Sequence, residues 1–438
     1  MIQLGQIKKG ILALTIANLI IGLVEFFFSL YLSRVLGAEG LGMLHLVTPI
    51  NCLFLSFMTE GLVTTISKMS ASLFAASQIS QMHQTVKNSM VFSFFWSIFL
   101  VGIVILTAKP IAVYFLREPS LYFPILSTCP LMILMSISNI IKGHFLGLAR
   151  VHIPSLINIT EKLLRFPILY CLIRFLLYQT SFPTITLVYL CYAIGEIHSV
   201  FWLVIYYRWT KRNTKVLPND SPPWAYLKPF ISSAAPICMT QCLFELVNAF
   251  SSIVVKSRLC DIGYSNIEAL ELLGKYKGMA SPLIGYPMIF IGSICAIVIP
   301  QVATLLETKK TDGANRLIRR ALIAALLTGF VTALLFWFLG DTMGNLFYKR
   351  DDLGTMIQFL GLCAPLLYVT ITSTNLLIGI GEEGRSFQNC LLQQLYLLIF
   401  LLTFVGIPAL NIYGYIVAIV LSQLLLLMMN LSLLKKYT

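Results

Sequence analysis

At regular intervals the chain runs apolar for close to the 20 residues a helix needs to cross a bilayer. That recurrence constrains the fold more than any other feature. In hydrocarbon every backbone polar group must be satisfied within the protein, which leaves helices or a closed barrel. The apolar runs lack the alternation of barrel strands and are too long for them, so they read as helices. Six fall at 11–36, 43–66, 88–108, 121–146, 153–177 and 185–207. Six more fall at 226–255, 279–306, 317–339, 353–380, 392–410 and 412–434. Between the sets lies the basic, proline-containing stretch RWTKRNTKVLPNDSPPW.

The halves echo each other. SNIIKG (138–143) returns as TNLLIG (374–379), and Arg34 and Arg258 each close a helix ahead of a glycine- and acid-containing turn. An even number of helices per repeat makes the repeats parallel, as in transporters built of two lobes. The expectation is an all-α polytopic membrane protein with about twelve transmembrane helices in two pseudo-symmetric six-helix lobes around a central cavity. Its parts would be a lobe at 1–208, a cytoplasmic basic linker at 209–224 and a second lobe at 225–438.

Only 11% of the 438 residues are charged, against about 25% in soluble domains, and the mean hydropathy is +0.85. A formal charge of +13 would suit nucleic acid in a soluble chain. Here lysine and arginine gather in alternate connecting segments, which sets both termini in the cytoplasm and gives no nucleic-acid partner. The opening MIQLGQIKK resembles a signal n-region, yet 11–36 is too long for a cleaved core and lacks an A-x-A site. The ten cysteines form no CxxC pair; Cys238 and Cys242 share a helix face without a histidine to complete a metal set. His45, His83, His144, His152 and His198 are scattered. No P-loop, GxSxG or HExxH is present, so neither an enzyme nor a metal or cofactor is expected.

Ionisable residues inside spans are costly and mark functional sites by default. At about 100° per residue, Asn18, Glu25, Ser29 and Ser33 form one stripe on the first helix, with Arg34 opposite Glu25. Ser56, Glu60, Thr64, Ser67 and Lys68 share a face of the second. Gln241, Glu245, Ser252 and Lys256 do so on the seventh. Such stripes face a water-filled cavity, or else satisfy one another between packed helices. On the fifth helix Glu161 precedes Arg165 by four residues, the favourable order for a structural pair.

The stretch SRVLGAEGLGMLHLVTPINCLFLSFMTEGLVTTISK (33–68) resembles the stage V sporulation protein B branch of the polysaccharide exporters. That branch belongs to the superfamily that also holds MATE drug exporters and lipid II flippases. IIKGHFLGLARVHIPSLINITEKLLR, GKYKGMASPLIGYPMIFIGSICAIVIPQV and NIYGYIVAIVLSQ fit the same family. The resemblance implies a flippase that moves a polyprenyl-diphosphate-linked sugar or peptidoglycan precursor from inner to outer leaflet by alternating access. Lipid II flippases carry an arginine ahead of the proline of the eighth helix. Here Met279, Ala280, Ser281 and Pro282 stand there, with Lys275 and Lys277 just before, and those lysines become alternative partners for a diphosphate.

On that footing Arg34, Lys68, Lys256 and Arg258 are candidates for the diphosphate, with Glu60 and Asn18 beside them in the substrate cavity. Glu25, Glu245, Gln241 and Ser252 are candidates for a polar cavity or a coupling cation, H+ or Na+. The expected partners are the lipid-linked glycan and membrane lipids, for a monomer in the bacterial cytoplasmic membrane. The alternatives are a MATE-like ion-coupled drug or cation antiporter using Glu25 or Glu245, a membrane glycosyltransferase, and a non-transporting envelope-assembly protein.

Overall fold

The structure, a computed structural model, describes residues 4–58, 60–148, 150–176, 183–212, 227–307 and 311–435, and these contain no strand. The helices are α1 (Leu4–Ser56), α2 (Glu60–Ala75), α3 (Ile79–Pro110), α4 (Tyr122–Leu126), α5 (Cys129–Gly147), α6 (His152–Leu176) and α7 (Thr184–Arg212). There follow α8 (Leu227–Asp261), α9 (Asn266–Gly274), α10 (Ser281–Glu307), α11 (Thr311–Met343), α12 (Gly354–Ile380), α13 (Glu383–Phe404) and α14 (Tyr413–Leu434). Large apolar side chains stand open at the surface, among them Leu106 (79% exposed), Tyr114 (81%) and Phe338 (75%). In water such a surface would drive aggregation; in hydrocarbon it is the proper exterior. Nine helical runs among the described residues are long and apolar enough to cross a membrane. One of them, Ile16–Ala75, contains two of the expected helices. Another expected helix, α6, carries Glu161, Lys162 and Arg165 at its centre and falls short on charge. The chain is a multi-pass membrane protein.

The glycine-rich LGAEGLG is expected to form a turn. Only one residue leaves the helical conformation there: Gly37, at φ 67° and ψ −176°, a region that glycine enters without a Cβ clash. Beyond it the backbone closes directly on α9. A Cβ on Gly42 would lie 1.9 Å from the carbonyl oxygen of Leu270, and one on Gly274 would lie 1.8 Å from that of Ala38. Small residues four apart permit this approach, as between membrane helices generally. The expected helix 43–66 is interrupted at Phe57 and Met58, where Met58 N donates to Leu55 O at 2.8 Å. The side chain of Glu60, at the start of α2, lies outside the described residues, as does most of the expected linker.

By its internal contacts the chain forms two compact units. One comprises Met1–Phe28 and Leu46–Ala249, the other Ser29–His45 and Phe250–Thr438. In the first, α5 packs on α2, α3 and α7, and α6 packs on α7. In the second, α12 is central, touching α10, α11 and α14, over a core that includes Val302, Ile318, Leu376 and Leu377. Amide side chains join its helices: Asn430 donates to Ser373 (3.1 Å) and Thr374 (2.9 Å), and Gln393 to Ser422 (3.1 Å). Helix α9 opens on a capping box in which Ser265 and Glu268 satisfy each other's backbone amides. It then widens into a π-helical turn, Lys275–Ala280, a device common at functional sites.

Candidate functional site

Buried carboxylates in the first unit face cations supplied by neighbouring turns or helices. On α6, Arg165 donates through Nε to Glu161 Oε1 at 2.6 Å, and Glu161 is 3% exposed. The guanidinium carbon lies 4.5 Å from the ring centre of Tyr192 on α7. One turn along α7 the chain needs glycine, because a Cβ on Gly195 would lie 2.8 Å from Glu161 Oε1. Beside this pair Lys162 bonds Glu25 of α1. Deeper in α7, Glu196 accepts from Lys142 at 3.3 Å and from Ser138, both on α5. Thr48 and Tyr189 hydrogen-bond at 3.0 Å, and Thr128 donates to Asn51 at 3.3 Å. Glu161 and Glu196 thus form a neutralised ionic core, with the pair made by the exposed Glu25 beside it. Among the described residues no group of three or more histidine, cysteine or acidic side chains could hold a metal.

Two of the histidines that look scattered in the sequence are adjacent. The rings of His83 on α3 and His144 on α5 lie 5.8 Å apart. Tyr207 of α7 contacts both rings and hydrogen-bonds His83 Nδ1 at 3.3 Å. His144 Nδ1 meets Ser70 at 3.1 Å, while its buried Nε2 makes no hydrogen bond. One signal was available: 68–87 and 142–150 both read as connecting segments on the same side of the membrane.

The second unit holds a different arrangement. Lys277, in the π-helical turn, donates to Ser252 Oγ of α8 at 2.6 Å and stands 5.7 Å from the ring centre of Tyr415 on α14. Tyr415 in turn packs on Tyr276 with ring centres 4.5 Å apart. Lys256, one turn beyond Ser252, is buried, so one short face of α8 meets two ammonium groups. His45 packs against the neighbouring backbone, with Nε2 3.2 Å from where a Cβ on Gly278 would be. Among the described residues no carboxylate lies within ion-pair distance of Lys277.

Lys275, two residues earlier, has the opposite fate. It pairs with Glu271 (3.0 Å) and Asp352 (2.7 Å), and Arg350 joins the same two acids. The hydrogen bond from Lys275, with that from Arg350, holds the Glu271 carboxyl below its ordinary value of 4.5.

The remaining candidates are more dispersed. Arg34, Lys68 and Asn18 are exposed, and Gln241 and Glu245 are half-buried on the part of α8 belonging to the first unit. Arg258 reaches Asp261 at 3.6 Å.

Long apolar helices enclosing ionic and polar clusters in two compact units define a multi-pass membrane protein. The same fold is found in an inward-facing multidrug resistance MATE family transporter of the MOP superfamily. That structure matches with a TM-score of 0.72 at 16% identity, covering 95% of this chain and 92% of that one. The chain belongs to the polysaccharide biosynthesis protein family, whose profile matches residues 7–306. It is similar to stage V sporulation protein B of Bacillus subtilis (strain 168), at 22% identity over 96% of this chain and 82% of that protein. Sporulation protein YkvU of the same organism is 20% identical over 88% of this chain and 85% of its own length.

Proposed function

We propose that this protein is a transporter that moves a polyprenyl-diphosphate-linked sugar or peptidoglycan precursor from the inner to the outer leaflet of the bacterial cytoplasmic membrane. It would work by alternating access, as a monomer and without chemical conversion, with both termini in the cytoplasm. The observation that carries the reading is Lys277, tied to Ser252 at 2.6 Å and with no carboxylate within ion-pair distance among the described residues; the buried Lys256 lies one turn along α8 from Ser252. Cations held in an apolar setting are costly unless an anion offsets them. A diphosphate supplies the offset, and lysine meets it as a mobile point charge. Arg34, Lys68 and Arg258 would attract the headgroup, and Asn18, Gln241 and Glu60 would bond sugar hydroxyls. The names of the sporulation relatives fit a cargo for the cell envelope.

The rival reading, ion-coupled drug or cation export, needs a carboxylate free to exchange a cation. Glu25 and Glu161 already hold Lys162 and Arg165, which favours the anionic cargo; Glu245 is proposed as the residue that couples H+ or Na+. Proteoliposomes carrying labelled polyprenyl-diphosphate sugars test the proposal. Faster translocation of one of them is expected. Unaltered leaflet distribution for every such lipid, with drug sensitivity in a deletion strain, would overturn it.

A further inference from the structure

Between α6 and α7 the first unit contains a cavity of about 530 Å³, within the 300–1,000 Å³ typical of ligand sites, and none of the ion pairs above enters it. Leu156 and Thr160 line it from α6, and His198, Trp202, Tyr206 and Trp209 from α7. Its chemistry is graded along its length. At one end Thr160 Oγ1 and His198 Nε2 lie 3.1 Å apart, and the His198 ring packs edge-on to Trp202 with centres 6.4 Å apart. Between the ends the walls are apolar, and Leu156, Trp202, Tyr206 and Trp209 are all exposed.

At the other end stand Trp209 and His152, and there the charge is cationic. Arg212 follows Trp209 by three residues and so shares its face. Arg208 precedes it, and both arginines are exposed; Arg150, just ahead of α6, lies near His144. Lys211 turns away, toward His83. Among the described residues no acid lines the cavity, and Glu161 and Glu196 point inward to Arg165 and Lys142. The amino end of α6, with its partial positive charge, opens at the same place.

We propose that this groove binds an anionic phospholipid, one acyl chain lying between Leu156 and Trp202 and the phosphate resting between Arg208 and Arg212. Basic pockets between transmembrane helices bind anionic headgroups, and tryptophan and tyrosine settle at the headgroup level. The lipid would brace α6 against α7 on the face opposite the Glu161–Arg165 pair. The inference is independent of what the transporter carries.

Tryptophan quenching tests it. The chain has five tryptophans, so Trp96→Phe, Trp224→Phe and Trp337→Phe together leave the two in the groove. The intact protein is reconstituted with brominated phosphatidylglycerol or brominated phosphatidylcholine. Phosphatidylglycerol is expected to quench at a far lower mole fraction. Arg208→Gln with Arg212→Gln should weaken that preference about 30-fold, as two headgroup charges are lost. Leu156→Phe in a background where Trp209 alone reports should abolish it by filling the groove with the arginines intact and no new tryptophan. Equal quenching by the two lipids, or a preference that survives both variants, would overturn the proposal. So would displacement of brominated phosphatidylglycerol by trace polyprenyl phosphate, which would give the groove to a carrier lipid.

Discussion

Replacing Glu161 by glutamine keeps the side chain's shape and removes its charge. The carboxylate is 3% exposed and accepts from Arg165 at 2.6 Å, so the substitution strands a guanidinium in an apolar interior. Breaking a buried pair from one side costs about 3–5 kcal/mol. The contact with Tyr192 at 4.5 Å survives in Glu161→Gln, and an arginine on a desolvated ring is worth about 2 kcal/mol. Arg165→Met loses that contact, yet it leaves behind a carboxylate, which can take up a proton as a guanidinium cannot lose one. The two single variants should therefore be comparably damaged, each lowering the melting temperature of detergent-purified protein by on the order of 10 °C. The double variant removes both charges, and swapping a buried pair for uncharged groups of similar volume is often neutral. It should lie within about 2 kcal/mol of the parent, the value of the lost ring contact, a coupling far outside the additivity expected of independent sites. A double variant as unstable as the summed singles would show that the two residues do not act as a unit, and the neutralised-core account would fail.

Lys277→Gln and Lys256→Gln should each slow translocation in proteoliposomes by about 10- to 100-fold, the value of one charged hydrogen bond. Lys275→Gln should act on stability instead, since that lysine holds Glu271 and Asp352. Gly42→Ala puts a methyl where the Leu270 carbonyl stands; separating two backbones should cost about 1–3 kcal/mol, read as a fall in melting temperature, while Ala38→Gly should cost less. The depressed value of Glu271 means the unfolded chain takes up its proton first as pH falls. Its stabilisation is thus complete above the ordinary value of 4.5 and is lost as pH drops through the lower folded value. Melting temperature should decline below about pH 5, and Glu271→Gln should flatten that decline.

The helices and their polar faces were legible because hydropathy and a 100° period are local properties. Ser252 and Lys256 were expected on one stripe, and they do share a face of α8. What the period cannot supply is the partner. Glu25 was a lone mid-membrane acid in the sequence, and its cation, Lys162, lies 137 residues on. His83 and His144 looked unrelated for the same reason. The contrast between Lys275 and Lys277 was also hidden, because residues two apart face different ways but the period does not say that Asp352 awaits one and Ser252 the other. Gly37 failed differently. A glycine-rich string announces a break, yet how many residues must leave the helix is decided by packing on α9, far along the chain.

Domain boundaries usually fall in polar linkers, yet here compactness changes hands inside helices. Ser29–His45 is packed into one unit while the chain on both sides belongs to the other, and α8 changes unit between Ala249 and Phe250. Two polypeptides divided within 213–226 would each be incomplete. The first would carry 29–45 without the α9 backbone that Gly42 touches, and the second would carry 227–249 without the rest of its unit. Each fragment would hold an arm of the other's fold, the relation found in domain-swapped proteins. Coexpressed, the halves should assemble and resist proteolysis; made singly, both should be degraded.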